Sequence, residues 1–376
     1  MNPSPVDDGV EIITLSLSPH RERGQYHARG TTRFPIAEVD TLHFVSGGVH
    51  CSGFFEVSQS GDPGAEEFVV NIDAFFRAAD ALNEVLVRRL HPAQGEYGVG
   101  VYTGDGPNAL NRDKAVRFRV QLRLPAPDYV TAVPLRIQGL STFMPLFSHH
   151  LHELARSVFF GQVALNTSDA SIETESLAGE NVSFVTVNGG VRGTLLVSER
   201  LTVATRNGPI HLTADLMNDV SGLPTFMSLQ TTNGPIEANV SLTSTAPSVR
   251  GGSFDVTANT TNGPLRVAFQ DGPANSVLNA SLQTCNAPAY VVMHSMFEGR
   301  YELQGSPFLR PTVGVGTSQD PTGTGRRRNV TAMNEGMGVV RGQVRLQPVP
   351  YGFDGQDGHA GYVRVRTTNG PLHASL

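Results

Sequence analysis

Four residues in one short run, His149, His150, His152 and Glu153, form the densest cluster of metal-capable side chains in the sequence. Imidazole nitrogens combined with a carboxylate are the ligand set of zinc and related ions. Three histidines within four residues cannot all face one ion from a single helix or strand, however, and no other His/Cys cluster stands elsewhere to complete the site. The run reads as a polar segment connecting two parts of the fold, and no metal ligands are expected.

Hydrolysis of a polysaccharide on a stacked β fold would need carboxylates, or a carboxylate with a Lys or Arg, converging in one groove. Asp169, Glu173 and Glu175 come nearest to such a set, followed by Asp215 with Asp219, and all read as loop or corner residues. Arg326, Arg327 and Arg328 are a short basic run in a chain of net charge −6, too small for the broad basic face that nucleic acid requires. Cys51 and Cys285 stand far apart, and the spacing does not call for a disulfide. There is no phosphate loop, dinucleotide fingerprint or serine nucleophile elbow. No catalytic, cofactor-binding or metal residue and no cofactor is expected.

The elements that would position any such residue are announced by a repeat. Thr205-Arg206-Asn207-Gly208-Pro209-Ile210 returns around Asn233-Gly234-Pro235, Asn262-Gly263-Pro264 and Asn369-Gly370-Pro371, with weaker copies at Asp169, Asn188 and Asn286. A threonine precedes each by two residues: Thr167, Thr186, Thr205, Thr231, Thr260, Thr284 and Thr367. Apolar residues alternate before the corner, as Leu201 with Val203 and Met227 with Leu229, and one follows it, as Ile210 and Ile236. That is the period of half-buried strands. Asn-Gly between strands usually marks a hairpin, but Pro209, Pro235, Pro264 and Pro371 have no N–H to close one.

The unit is therefore strand, corner, strand. Corner positions 169, 188, 207, 233, 262 and 286 are one β-helical coil apart. The fold class is all-β, a single-stranded β-solenoid built on T-x-N-G-P-[IL] corners, with a β-sandwich of repeated hairpins as the alternative. The corner asparagines are expected to form an amide ladder and the threonines an inward hydroxyl row. The outward place after the corner holds Glu173, Arg192, His211, Glu237, Arg266, Tyr290 and His373, whose sign changes from coil to coil as on a solvated face.

The 376 residues include 40 glycines, 24 prolines and no tryptophan, with 16% charged, which suits a turn-rich β protein with a sizeable core. Residues 1–30 read as a disordered tail, 31–160 as an N-terminal β-rich part, and 161–376 as the repeat solenoid with a flexible loop near 314–338. Strands are expected at 68–76, 84–90, 98–102 and 116–124, although Phe75, Ala79, Leu82 and Leu86 also fit one helical face. A degenerate repeat at Phe44-Val45-Ser46-Gly47-Gly48-Val49 starts the array near residue 40. Asn286 and Asn369 leave room for about three coils between them, and a terminal coil ending at Leu376 would leave an uncapped edge.

The run Phe147 to Ala155, the glycine-rich Gln94 to Tyr102 and the closing Val363 to Leu372 together resemble a fungal domain-of-unknown-function family. That family is similar in its repeat to bacterial putative-adhesin β-solenoid domains. The resemblance implies the fold and a non-enzymatic, adhesin-like surface, and supplies no catalytic residues.

The expected function is a binding or scaffolding surface for a protein or glycan partner, without nucleic acid and without a membrane span. The alternatives are a carbohydrate-active enzyme, which would draw together Asp215, Glu237 and Asp255, and a self-assembling structural protein. The absence of a signal peptide points to the cytoplasm. Six Asn-X-Ser/Thr sequons, at Asn166, Asn181, Asn239, Asn259, Asn279 and Asn329, point to the exterior.

Overall fold

The computed structural model describes residues 11–18, 25–104, 115–126, 133–219, 222–245, 251–315, 327–347 and 361–376. The chain forms two compact units, Met1–Ala178 and Gly179–Leu376. The first holds β1 (Ser16–Leu17), β2 (Tyr26–Pro35), β3 (Thr41–Gly47), β4 (Ser52–Pro63), β5 (Glu67–Phe76), β6 (Val85–Leu90), β7 (Glu96–Thr103), β8 (Val116–Ala126), β9 (Leu135–Phe143), β10 (Phe147–Glu153) and β11 (Val158–Asn166). β12 (Ile172–Val185) contains the boundary between the units. The second unit continues with β13 (Val191–Ala204), β14 (Ile210–Asn218), β15 (Thr225–Gln230), β16 (Ile236–Ser244), β17 (Ser253–Asn259), β18 (Leu265–Asp271), β19 (Val277–Gln283) and β20 (Ala289–Val292). It ends with β21 (Gly299–Gln304), β22 (Thr312–Gly314), β23 (Arg327–Gly336), β24 (Val339–Gln347), β25 (Gly361–Arg366) and β26 (Leu372–Ser375).

The repeat folds as a β-solenoid, because strands from successive coils pair in parallel and not as antiparallel hairpins. In unit 2 one layer runs β13, β14, β16, β18, β20, β26, β22, and the other runs β13, β15, β17, β19, β25, β21. Alternate residues point inward, so Met227 and Leu229 stack between Leu201 and Val203 on one side and Val256 and Ala258 on the other, all buried. In unit 1 the layers are β7, β3, β9, β11 and β8, β4, β10, β12. β3 and β4 are thus a full coil, in agreement with the degenerate repeat near residue 40. Antiparallel strands border it: β5 pairs with β8, β2 with β5, and β6 with β7.

The corners work as the repeat suggests, with one change. Thr231 is buried; its Oγ1 accepts from the Gly234 N–H at 3.2 Å and donates to the Gly208 carbonyl of the neighbouring corner at 3.2 Å. The same pair of bonds recurs at Thr205, Thr260 and Thr367. Outside this hydroxyl row, Asn207, Asn233, Asn262, Asn286 and Asn369 each donate Nδ2–H to the previous Oδ1 at 2.6–2.8 Å, beginning with Asn188. The prolines lack a donor, but their carbonyls accept from the neighbouring coil, as Pro235 does from Ile210 at 2.9 Å. The glycines serve close stacking and not a left-handed turn: none of Gly208, Gly234, Gly263 and Gly370 has a positive φ. A Cβ on Gly234 would lie 1.9 Å from the Gly208 carbonyl oxygen. At the sixth corner Ala287 takes this place.

Two expectations are corrected. The last coil in sequence is not the last in space, since β25 lies between β19 and β21 and β26 between β20 and β22. The corner of Asn369 therefore stacks directly on that of Asn286 across 83 residues of sequence, and β26 is not an open edge. The helical face through Phe75, Ala79, Leu82 and Leu86 also does not form. β5 buries alternate Val70, Ile72, Ala74 and Phe76, and only a 3-10 stretch, Ala79–Glu84, separates it from β6.

Beyond β21 the second unit turns antiparallel, with β24 against β21 and β23 against β24. Of the loop expected near 314–338, residues 316–326 lie outside the described residues and Arg327–Gly336 form β23. The Arg328 guanidinium donates to the His294 and Ser295 carbonyls. Of the expected tail, residues 1–10 and 19–24 lie outside the described residues, while Ser16–Leu17 and the chain from Tyr26 are strands.

Candidate functional site

A solenoid offers its outward rows to solvent, and the two layers of unit 2 carry different rows. On the layer containing β14, Arg192, His211, Glu237, Arg266, Tyr290 and His373 stand in register. The row is paired within itself. Glu237 meets His211 at 3.4 Å and Arg266 at 3.5 Å, Arg266 lies 5.6 Å above the Tyr290 ring, and His373 bonds Thr312 at 2.8 Å. Such exposed pairs contribute little to stability and leave few groups to recruit a ligand.

The opposite layer is different in kind. Arg200, Phe226, Asp255, Asn279 and Tyr362 stand in register across β13, β15, β17, β19 and β25, and Thr202, Ser228, Thr257, Ser281 and Arg364 form the next row. All of these except Thr202 line an open groove of about 620 Å3. The Arg200 guanidinium sits 4.6 Å over the Phe226 ring at one side, and Tyr362 presents a 41% exposed ring at the other. Between them Asn279 donates to Asp255 at 3.0 Å.

One wall of the groove is fixed by Glu302, a buried carboxylate on β21. It accepts from Arg364 at 2.8 Å, Arg341 at 3.0 Å and the Tyr362 hydroxyl at 3.3 Å. Burial pushes its pKa up, but the two guanidinium groups outweigh burial and hold it below the usual carboxylate value. The Tyr362 hydroxyl is raised by burial and by this carboxylate. Glu302 pairs in register with Arg364, so it stands next in the same outward row and holds Arg364 and Tyr362 in place at the end of the groove.

The residues singled out in the sequence fall as follows. His149 points inward and is buried against Phe55, bonded to Thr142 at 2.8 Å and the Phe147 carbonyl at 3.0 Å, and burial pushes its pKa down to about 4. His150 and His152 point outward, and both meet Glu175 of β12 at 3.4 Å, while Glu153 is exposed at the strand end. No further His or Cys joins this run among the described residues, but parallel pairing of β10 with β12 places the Glu175 carboxylate beside its two outward rings. Asp169 is a corner residue; Glu173 pairs in register with His150.

Asp215, Glu237 and Asp255 do not converge. Asp215 accepts from Thr243 at 2.8 Å, Glu237 belongs to the paired row, and Asp255 lies on the other layer. Asp219 is exposed just beyond β14, and Arg326 lies outside the described residues. Cys51 and Cys285 are free thiols, and burial pushes Cys51 up to about 12. Among the sequons, Asn279 lies in the groove, and the amides of Asn166 and Asn181 donate to the Thr142 carbonyl and Glu199. No helix among the described residues is long and apolar enough to cross a membrane.

No family model matches the chain, and no curated protein does. Among solved structures it is similar to a putative adhesin from Bacteroides fragilis NCTC 9343, with 11% identity, 71% of this chain and 96% of that chain covered, and a TM-score of 0.39. It is also similar to a putative adhesin from Parabacteroides merdae ATCC 43184 (12% identity, 68% and 95% covered, TM-score 0.23). A putative cell adhesion protein from Clostridium sporogenes ATCC 15579 matches at 6% identity over 93% and 99%, with a TM-score of 0.18. No function transfers across so distant a likeness.

Proposed function

We propose that this chain is a non-enzymatic binding protein whose β13–β15–β17–β19–β25 face holds an extended, uncharged glycan. The observation that supports the reading is the in-register row of Arg200, Phe226, Asp255, Asn279 and Tyr362. Aromatic rings offer flat apolar surface, and the planar polar groups between them offer paired donors and acceptors. Adjacent strands stand about 4.7–4.9 Å apart, so a chain of pyranoses crossing them meets a new side chain with roughly every sugar. Ser228, Thr257 and Ser281 add a row of hydroxyls beside the rings. Glu302, shared with Arg341 and Arg366, offsets part of the Arg364 charge, and Asp255 stands against Arg200, so the groove carries no strong excess of acidic or basic groups and suits a neutral ligand. A hydrolytic role has less support, since the carboxylates it needs are dispersed over two layers.

Affinity electrophoresis through native gels containing mixed-linkage β-glucan, xylan or glycol chitin tests this reading. At least one polysaccharide should retard the full chain, and the Phe226→Ala/Tyr362→Ala double variant should migrate freely. A His211→Ala/Arg266→Ala variant, altered on the paired layer, should be retarded like the parent. Free migration of the parent in every gel, or equal retardation of the groove variant, would rule the reading out.

A further inference from the structure

We propose that His150, His152 and Glu175 form a Zn2+ site on the outer face of the first unit, a two-histidine, one-carboxylate set with an open coordination position. The alternation of β10 puts His149 in the core and leaves His150 and His152 on the outside, two residues apart. Leu151 pairs with Thr174 and Glu153 with Ser176, so His152 and Glu175 are brought side by side across the ladder. The two rings stand edge to face with centroids 4.4 Å apart. The ligand atoms of all three residues lie within 4.8 Å of one another.

What sets the cluster apart from an ordinary ion pair is that two imidazoles meet one carboxylate, at distances that leave room for an ion. Glu175 Oε1 is 3.4 Å from His150 Nε2 and 3.4 Å from His152 Nδ1. Both exceed the 2.7–3.2 Å of a good N–H···O bond. A zinc ion bound tetrahedrally through bonds of about 2.0–2.1 Å separates its ligand atoms by about 3.3–3.4 Å. Two imidazoles converging on one carboxylate oxygen at that spacing match two edges of the tetrahedron, and the third closes from the 4.8 Å spread of the ligand atoms by side-chain rotation when the ion binds. His211 with Glu237 has the same 3.4 Å contact but a single imidazole, and its carboxylate is shared with Arg266.

The scaffold is suited to hold such a set. β10 is bonded on one side to β4 and on the other to β12, so the three Cβ atoms are fixed by sheet geometry before an ion arrives. His150 is flanked in register by Glu173 and by Glu56, whose charge is partly offset by Arg119 at 3.5 Å and which Gln121 also engages at 2.7 Å. Nitrogen donors with one carboxylate select zinc and its late first-row neighbours over calcium or magnesium. The three side chains are half-exposed or exposed, so the remaining positions are open to water or to an oxygen of a bound partner.

Calorimetric titration of the metal-stripped full chain with Zn2+ itself, and Co2+ titration followed by visible d–d absorption, test the assignment. One equivalent of Zn2+ should bind, and His152→Ala and Glu175→Gln should each weaken that binding by at least about tenfold. His211→Ala should leave it unchanged. Co2+ should give the intense absorption of a low-coordinate nitrogen–oxygen site, lost in the same two variants. The proposal is overturned if the parent binds no Zn2+ more tightly than the Glu175→Gln variant does, or if His211→Ala weakens binding as much as His152→Ala. Circular dichroism of each surface variant confirms that the coil is intact.

Discussion

Replacing Thr231 by valine isolates the bond that ties one coil to the next. Valine has the same shape, so the substitution removes one hydroxyl from a buried place and leaves the Gly234 N–H and the Gly208 carbonyl without it. Gly208 and Gly234 are both buried, so water does not readily replace the lost partner. An unsatisfied buried group costs about 1–3 kcal/mol, and two of them about 2–6 kcal/mol. The added methyl returns about 0.8 kcal/mol, for a net loss of about 1–5 kcal/mol. Thr231→Ser keeps both bonds and loses only the methyl, a cost of about 1 kcal/mol. Urea unfolding followed by far-UV circular dichroism measures the difference as a fall in midpoint at unchanged slope. The reasoning is refuted if Thr231→Val lies within about 0.5 kcal/mol of the parent, or if Thr231→Ser destabilises as much as valine.

The amide ladder predicts an asymmetric response: Asn233→Asp keeps the acceptor for Asn262 but loses the donor to Asn207, and at neutral pH should cost about 1 kcal/mol in the same unfolding assay. Glu302→Gln removes the charge that holds Arg341 and Arg364, and should lower the urea midpoint by the equivalent of about 2 kcal/mol while also weakening any ligand of the groove. His294 is buried with neither ring nitrogen bonded, and burial, reinforced by the Arg328 charge, pushes its pKa down from 6.5 to about 4. The unfolded chain therefore binds the extra proton first, and stability falls as pH drops from about 6.5 toward 4, by about 2 kcal/mol between pH 7 and 5. Parallel melts of His294→Leu should show a shallower pH dependence by that amount.

Much of the fold was legible because its repeat is local. Thr, Asn and Pro at fixed places specify a corner, the alternation around Leu201, Met227 and Val363 specifies which face is inward, and both survive in the structure unchanged. The role of glycine was less legible: Asn-Gly usually marks a hairpin, which the following proline argues against, whereas the need at Gly234 is room for the neighbouring carbonyl. The placement of β25 between β19 and β21 was hidden, since a parallel pairing across a long insertion leaves no periodic trace. The same holds for the groove and the histidine cluster. Phe226, Asp255 and Tyr362 are unremarkable one strand at a time, and only register aligns them. Glu175 joins His150 and His152 through a strand pairing that a search for further His and Cys residues does not see.

The absence of tryptophan from the chain makes the most direct test of the binding face available. Phe226→Trp puts a single fluorescent reporter in the groove, and Tyr290→Trp puts one on the paired layer. Titrated with cellohexaose, xylohexaose and chitohexaose, the groove reporter should show a saturable emission change with at least one of them, and the control reporter none. A flat response at the groove with all three, or equal responses at both positions, would contradict the account.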